Sequence, residues 1–273
     1  MAHASHALTG CSFSLEVFKF YFGLMQATEA DSGLAPEQET RPEPSLGGKL
    51  LWAGELDSAG RALVVAGNVA GTATLTATSD VDAQKQAVRD GIVDFLVTSL
   101  DEALRILKNE IRKRQTAAVC VGAAPELIER EMQERGVQPD LFREGVIAAS
   151  ERPAVNREPN ELDSMSMEAL VIWRVDVAPA QWLPTLDAIA LDCLEAEDRI
   201  ERRWIRLAPR FVGRSGHGVR LLIGNSEFAA SFVERVREQV RLGEIAFEGQ
   251  IRVSYSDRSE EYNFPPRPLN DGD

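Results

Sequence analysis

Histidine and cysteine are scarce in this 273-residue chain, with three of each. Cys11, Cys120 and Cys193 are odd in number and far apart, and no CxxC or HExxH occurs. That argues against a disulfide framework and against a zinc-type ligand set, so no metal is expected. Cys120 sits inside the apolar run 117–121 and reads as a buried strand residue. Positive charge is also short: 30 Lys and Arg stand against 43 Asp and Glu, for a net charge of −13. Nucleic acid and anionic membranes call for a positive field, so neither is expected as a partner. No apolar run is long enough to span a bilayer. The nearest, residues 11–25, is interrupted by Glu16 and Lys19, and no basic segment precedes it. It reads as an extension from an over-early start codon, with Met25 as an alternative start. The acidic, proline-bearing stretch 26–45 follows. Together residues 1–45 are expected to form a disordered leader, and the location is expected to be cytoplasmic.

What is present from residue 49 onward is a regular alternation of strand and helix. Apolar residues make up 44% and charged residues 27%, ordinary usage for a soluble globular protein of one large or two medium domains. Short apolar runs at 49–53, 73–79, 95–98 and 117–121 suit buried parallel strands. Helical patterns lie between and after them, at 59–69, 81–90, 100–114 and 125–135. Ser99 is placed to cap the third of these, with Asp101 and Glu102 in its first turn. Such alternation implies an α/β fold with right-handed crossovers. Residues 143–166 read as a linker. A second, smaller α/β unit is expected over 167–262, with strands at 169–175, 218–223 and 250–255 and helices at 180–194, 198–207 and 226–242. Residues 263–273 read as a tail.

Three motifs occur in one order. The first is the strand leading into Ala53-Gly54, with Gly60 in the next turn. The second runs from Asp80 through Gly91 and Val93-Asp94 to Leu100-Asp101-Glu102-Ala103-Leu104. The third is Gly122, followed by Glu134-Arg135-Gly136-Val137 and Pro139-Asp140. This middle third of the chain resembles the Rossmann-like NAD domain of the urocanase (urocanate hydratase) family. The resemblance implies a Rossmann-like parallel sheet over 46–150 and NAD as the family cofactor.

The departures fall at the cofactor positions. The family's glycine-rich first turn reads Gly54-Glu55-Leu56-Asp57-Ser58-Ala59-Gly60-Arg61, which sets two carboxylates where a diphosphate would lie. Thr78 replaces the acidic residue expected to hold ribose hydroxyls, Ala83 replaces an arginine, and Gly122-Ala123 replaces Gly-Asn. The family's larger flanking core, which supplies its acid and base groups, does not fit within these residues. The expectation is therefore a degenerate NAD site with no cofactor, in a non-catalytic binding or interaction module. A homo-oligomer or a protein partner would complete it. The alternative is an enzyme, a urocanase-like lyase or oxidoreductase that holds a dinucleotide in a modified site.

Two sets of site residues follow. Gly54, Gly60, Asp80 and Gly122 would rim the crevice at the carboxyl ends of the strands, although the glycines equally permit tight turns alone. Arg202, Arg206 and Arg210 recur at helical spacing with Arg199 and Arg203, and lead into a glycine-rich loop with His217. They could clamp a phosphate or carboxylate, or form a solvated face paired with Glu195, Glu197, Asp198 and Glu201.

Overall fold

A computed structural model describes residues 2–31, 44–150, 168–212 and 218–265, with side chains from residue 11 to 26 in the first of these segments. The chain divides into two units, one of Ser12–Val155 with Arg210–Arg214 and one of the remaining residues.

The first unit carries a five-stranded parallel sheet. Its strands are β1 Leu50–Glu55, β2 Ala73–Ala77, β3 Phe95–Val97, β4 Ala117–Val121 and β5 Leu141–Phe142, in the order β3-β4-β2-β1-β5. Helices α2 Ser58–Ala70, α3 Val81–Arg89, α4 Leu100–Lys113 and α5 Pro125–Glu134 make the crossovers. The two-residue period of a strand sorts the side chains. Leu50, Trp52, Ala73, Leu75, Ala77, Val119 and Val121 pack with Leu104, Leu107, Ile128 and Met132 of α4 and α5. On the other face α2 lies so close that a Cβ on Gly67 would fall 2.7–2.9 Å from Thr72, Thr74 and Leu51. Asn68 of α2 donates to the carbonyl of Ile92, just beyond α3, so α2 and α3 are neighbours.

Several residues of the three motifs hold the scaffold together. The Asp140 carboxylate accepts from the Leu50 amide at 2.8 Å and from Lys49 Nζ at 3.1 Å, which fixes where β1 begins. Asp94 accepts from the Ala118 amide at 2.8 Å and so aligns the entry to β3 with β4. Ser99 caps α4, and the Glu102 carboxylate accepts from the amide of Thr98, the residue before the cap, at 3.1 Å. Arg135 at the end of α5 holds Asp101 at the start of α4.

Residues 2–31 form a helix, α1 Ala2–Asp31, rather than the disordered leader expected for 1–45. The reason is a stripe at helical spacing. Ser14, Val17, Phe18, Tyr21, Leu24 and Met25 are all buried, although the same run reads by composition as an appended apolar segment. A Cβ on Gly23 would meet the Ser150 amide at 3.1 Å and the Val146 carbonyl at 3.2 Å, so α1 passes close over α6 Arg143–Ser150. Helix α6 itself occupies the start of the expected linker. Residues 32–43 lie outside the described residues.

The second unit is a four-stranded antiparallel sheet in the order β7-β6-β8-β9, so its strands are not parallel. The elements are β6 Glu168–Val175, α7 Pro179–Cys193, α8 Arg199–Phe211, β7 Val219–Asn225, α9 Ser226–Leu242, β8 Gly249–Ser254 and β9 Ser259–Phe264. Burial alternates along β6, as expected for a sheet with one covered face. Trp173 of β6 packs on Phe232 of α9 with ring centroids 5.1 Å apart. Strand β9 takes up residues 263 and 264 of the expected tail, and Phe264 is buried. Residues 266–273 lie outside the described residues.

Candidate functional site

In a parallel sheet, ligands bind where neighbouring strands send their crossovers to opposite faces. Here β2 leads to α3 on one face and β4 leads to α5 on the other, which places the switch point between β2 and β4. The residues proposed for the crevice, Gly54, Gly60, Asp80 and Gly122, lie at the carboxyl ends of β1, β2 and β4.

At the first turn, Gly54 has φ +69°, in the left-handed region that favours glycine. A Cβ on Gly60 would fall 1.9 Å from the Glu55 carbonyl oxygen. The close β1-to-α2 approach therefore requires glycine at that position. Between them, Asp57 is the N-cap of α2 and its Oδ1 accepts from the Gly60 amide at 2.7 Å. Arg143, the first residue of α6, donates from Nη2 to Asp57 Oδ1 at 3.0 Å and Oδ2 at 2.8 Å, and from Nη1 to the Glu55 carbonyl at 3.0 Å. Partial desolvation pushes the Asp57 carboxyl up, but the Arg143 guanidinium and the Gly60 and Ala59 amides outweigh it and hold the group below the usual carboxylate range. The carboxylates of the turn were expected to repel a diphosphate. Asp57 is paired with Arg143, and its Oδ1 occupies the Gly60 amide at the helix terminus.

The switch point is filled in the same way. Gln84 of α3 is buried and donates to the Thr78 carbonyl at 2.8 Å. A Cβ on Gly122 would lie 3.3 Å from its amide nitrogen. The Thr78 amide donates to the Val121 carbonyl, closing β2 onto β4 just where a crevice would open. Thr78 is itself buried, and its hydroxyl accepts from the Asp80 amide at 3.2 Å. Asp80 caps α3 by accepting from Asp82 and Ala83. Cys120 lies beneath this end of the sheet, fully buried. Burial, and next to it the nearby Glu55 charge, push its thiol up to about 12, well out of the range of a reactive thiolate.

The arginine set divides. Arg202 donates to the carbonyls of Leu191 at 2.7 Å and Leu194 at 3.0 Å, and so serves the C-terminal end of α7. Arg203 is buried, which removes it from any solvated face. Arg206 and Arg210 are exposed, and the Arg210 guanidinium lies 5.2 Å over the Phe211 ring. His217 and its glycine-rich loop lie outside the described residues. Among the described residues no cluster of His, Cys, Asp or Glu is suited to a metal, and no helix is long and apolar enough to cross a membrane.

A parallel sheet with a glycine-dependent first turn and helices on both faces defines a Rossmann-like domain. Residues 23–150, a part of the chain, match the family model of the urocanase Rossmann-like domain. No curated protein matches the chain.

Proposed function

We propose that this chain keeps the urocanase Rossmann-like scaffold without its dinucleotide, and works as a non-catalytic binding or interaction module. One observation carries the reading. The Asp57 carboxylate takes the Gly60 amide that a phosphate would need, and Arg143 holds it there with two contacts. The residues present do not fit a diphosphate in that pose. Gln84 at the β2–β4 junction supports the same reading, because it spends its amide on the chain's own carbonyl. The family residues that remain, Asp94, Glu102 and Asp140, serve strand register and helix capping, and those roles need no ligand. A cytoplasmic protein that associates with itself or with another protein fits this picture.

The test is to titrate the purified chain with NAD+, NADH, NADP+ and urocanate, following thermal unfolding and analysing co-purifying small molecules by mass spectrometry. A ligand at 100 times its dissociation constant would add about 2.7 kcal/mol of stability. No shift and no bound nucleotide are expected. A tight dinucleotide complex, or hydration of urocanate, would overturn the proposal in favour of a urocanase-like lyase or oxidoreductase with a modified site.

A further inference from the structure

A cavity of about 480 Å3 opens between α5, the 136–139 loop and the β5–α6 junction, and its lining includes no residue of the first turn. That volume lies in the range of small-molecule sites, roughly 300–1,000 Å3. Its walls include Trp52, Met132, Val137, Pro139 and Phe142, and its polar side chains include two carboxylates, Glu129 and Glu144. No lysine or arginine lines it. The Trp52 indole N–H donates to Glu129 Oε1 at 2.9 Å, which orients that carboxylate and leaves Oε2 for another donor. Neither Glu129 nor Glu144 has an ion-pair partner among the described residues. Phe142 is 46% exposed, although it is a large apolar ring. Two carboxylates without an ion-pair partner among the described residues, set in a partly apolar concavity, focus a negative potential, and an aromatic ring adds attraction for a cation.

We infer that this cavity is a binding site for a small organic cation, an ammonium carried on a flat apolar body. The apolar body packs on Met132, Val137 and Phe142, while the ammonium donates to Glu129 and Glu144. This site is independent of whether the first turn accepts a nucleotide.

The experiment uses the full chain and three probes of one shape: phenethylamine, 2-phenylethanol and phenylacetate. Isothermal titration gives the affinities, and the Trp52 indole N–H resonance, assigned by its loss in Trp52→Phe, reports the location. Phenethylamine is expected to bind and to shift that resonance, the alcohol to bind about tenfold more weakly, and phenylacetate not to bind. Glu129→Gln keeps an acceptor for Trp52 and should lower amine affinity about tenfold without moving the unfolding midpoint. Glu144→Gln, at an exposed position in the first turn of α6, is the second variant should Glu129→Gln fold poorly, and is expected to act in the same direction. Absence of amine binding at millimolar concentration, equal binding of the alcohol, or wild-type affinity in Glu144→Gln would overturn the inference.

Discussion

Arg143 and Asp57 stand 86 positions apart in the chain, yet the guanidinium binds both carboxylate oxygens, at 3.0 and 2.8 Å. Asp57 also caps α2, so its two roles can be separated by substitution. Asp57→Ala loses cap and pair together and should cost about 1–2 kcal/mol. Asp57→Asn keeps an acceptor for the Gly60 amide and should cost less. Arg143→Ala loses only a partly exposed pair and a carbonyl contact, about 1 kcal/mol or below. Urea unfolding of the three variants checks the order, and an Arg143→Ala loss equal to that of Asp57→Ala would refute it.

Acid dependence follows from the same carboxylate. Because Asp57 is held below its ordinary range, its contribution is present above the unfolded-state value, about 3.9, and is lost as the pH falls through the lower folded value. Asp187 runs the other way. Burial raises it, against the Arg220 charge and the Trp173 hydrogen bond. Its contribution is full below the unfolded-state value and is lost as the pH rises through the raised folded value. Unfolding midpoints of Asp57→Asn and Asp187→Asn measured from about pH 3 to 7 should therefore differ from the wild type with opposite slopes.

Two glycines with different surroundings should respond differently to alanine. A Cβ on Gly60 meets the Glu55 carbonyl at 1.9 Å, so Gly60→Ala must displace backbone, and a loss above about 3 kcal/mol is expected. Gly136 has φ +65° and nothing within 4 Å, so Gly136→Ala carries only left-handed strain, about 1–2 kcal/mol. Thermal unfolding distinguishes them, and equal losses would contradict the geometry.

Cys120, with its thiol at about 12 and no exposure, should resist iodoacetamide in the folded protein and alkylate fully in denaturant. Cys11 and Cys193 are partly exposed and should label first. Peptide mass spectrometry after a timed pulse gives the result, and early labelling of Cys120 would show that this end of the sheet opens readily.

Arg202 acts as a cap for α7, so Arg202→Ala should destabilise by about 1–3 kcal/mol through the carbonyls of Leu191 and Leu194. Addition of phosphate or sulfate should not restore the loss. Restoration by either anion would return Arg202 to the anion-binding role that its spacing suggests.

Strand and helix order between residues 49 and 135 was readable because local chemistry marks it. Apolar runs of four to seven residues, the Ser99 cap and Gly136 each act within a few positions. Strand β5 was missed because two residues carry no period. Strand β9 was missed because Ser259-Glu260-Glu261-Tyr262 is polar, alternates between exposed and half-buried, and pairs through its backbone with β8. Helix α1 was hidden by composition, although Val17, Tyr21 and Leu24 show its period. At the site, the acid in the first turn was visible but its neutralising partner was not. No local pattern links Asp57 to Arg143, or Gln84 to the junction of β2 and β4. The arginine stripe misled for a similar reason, since spacing cannot tell a solvated guanidinium from one spent on a neighbouring helix end.

Arg143 follows the last strand of the sheet, and β5 lies beside β1. The first turn is thus completed by a residue synthesised long after it. A fragment cut anywhere before residue 143 would carry the whole glycine turn and the Asp57 cap, but leave that carboxylate without its cation. Dissection of this protein would then report the behaviour of an open, more acidic turn, one that the intact chain does not present.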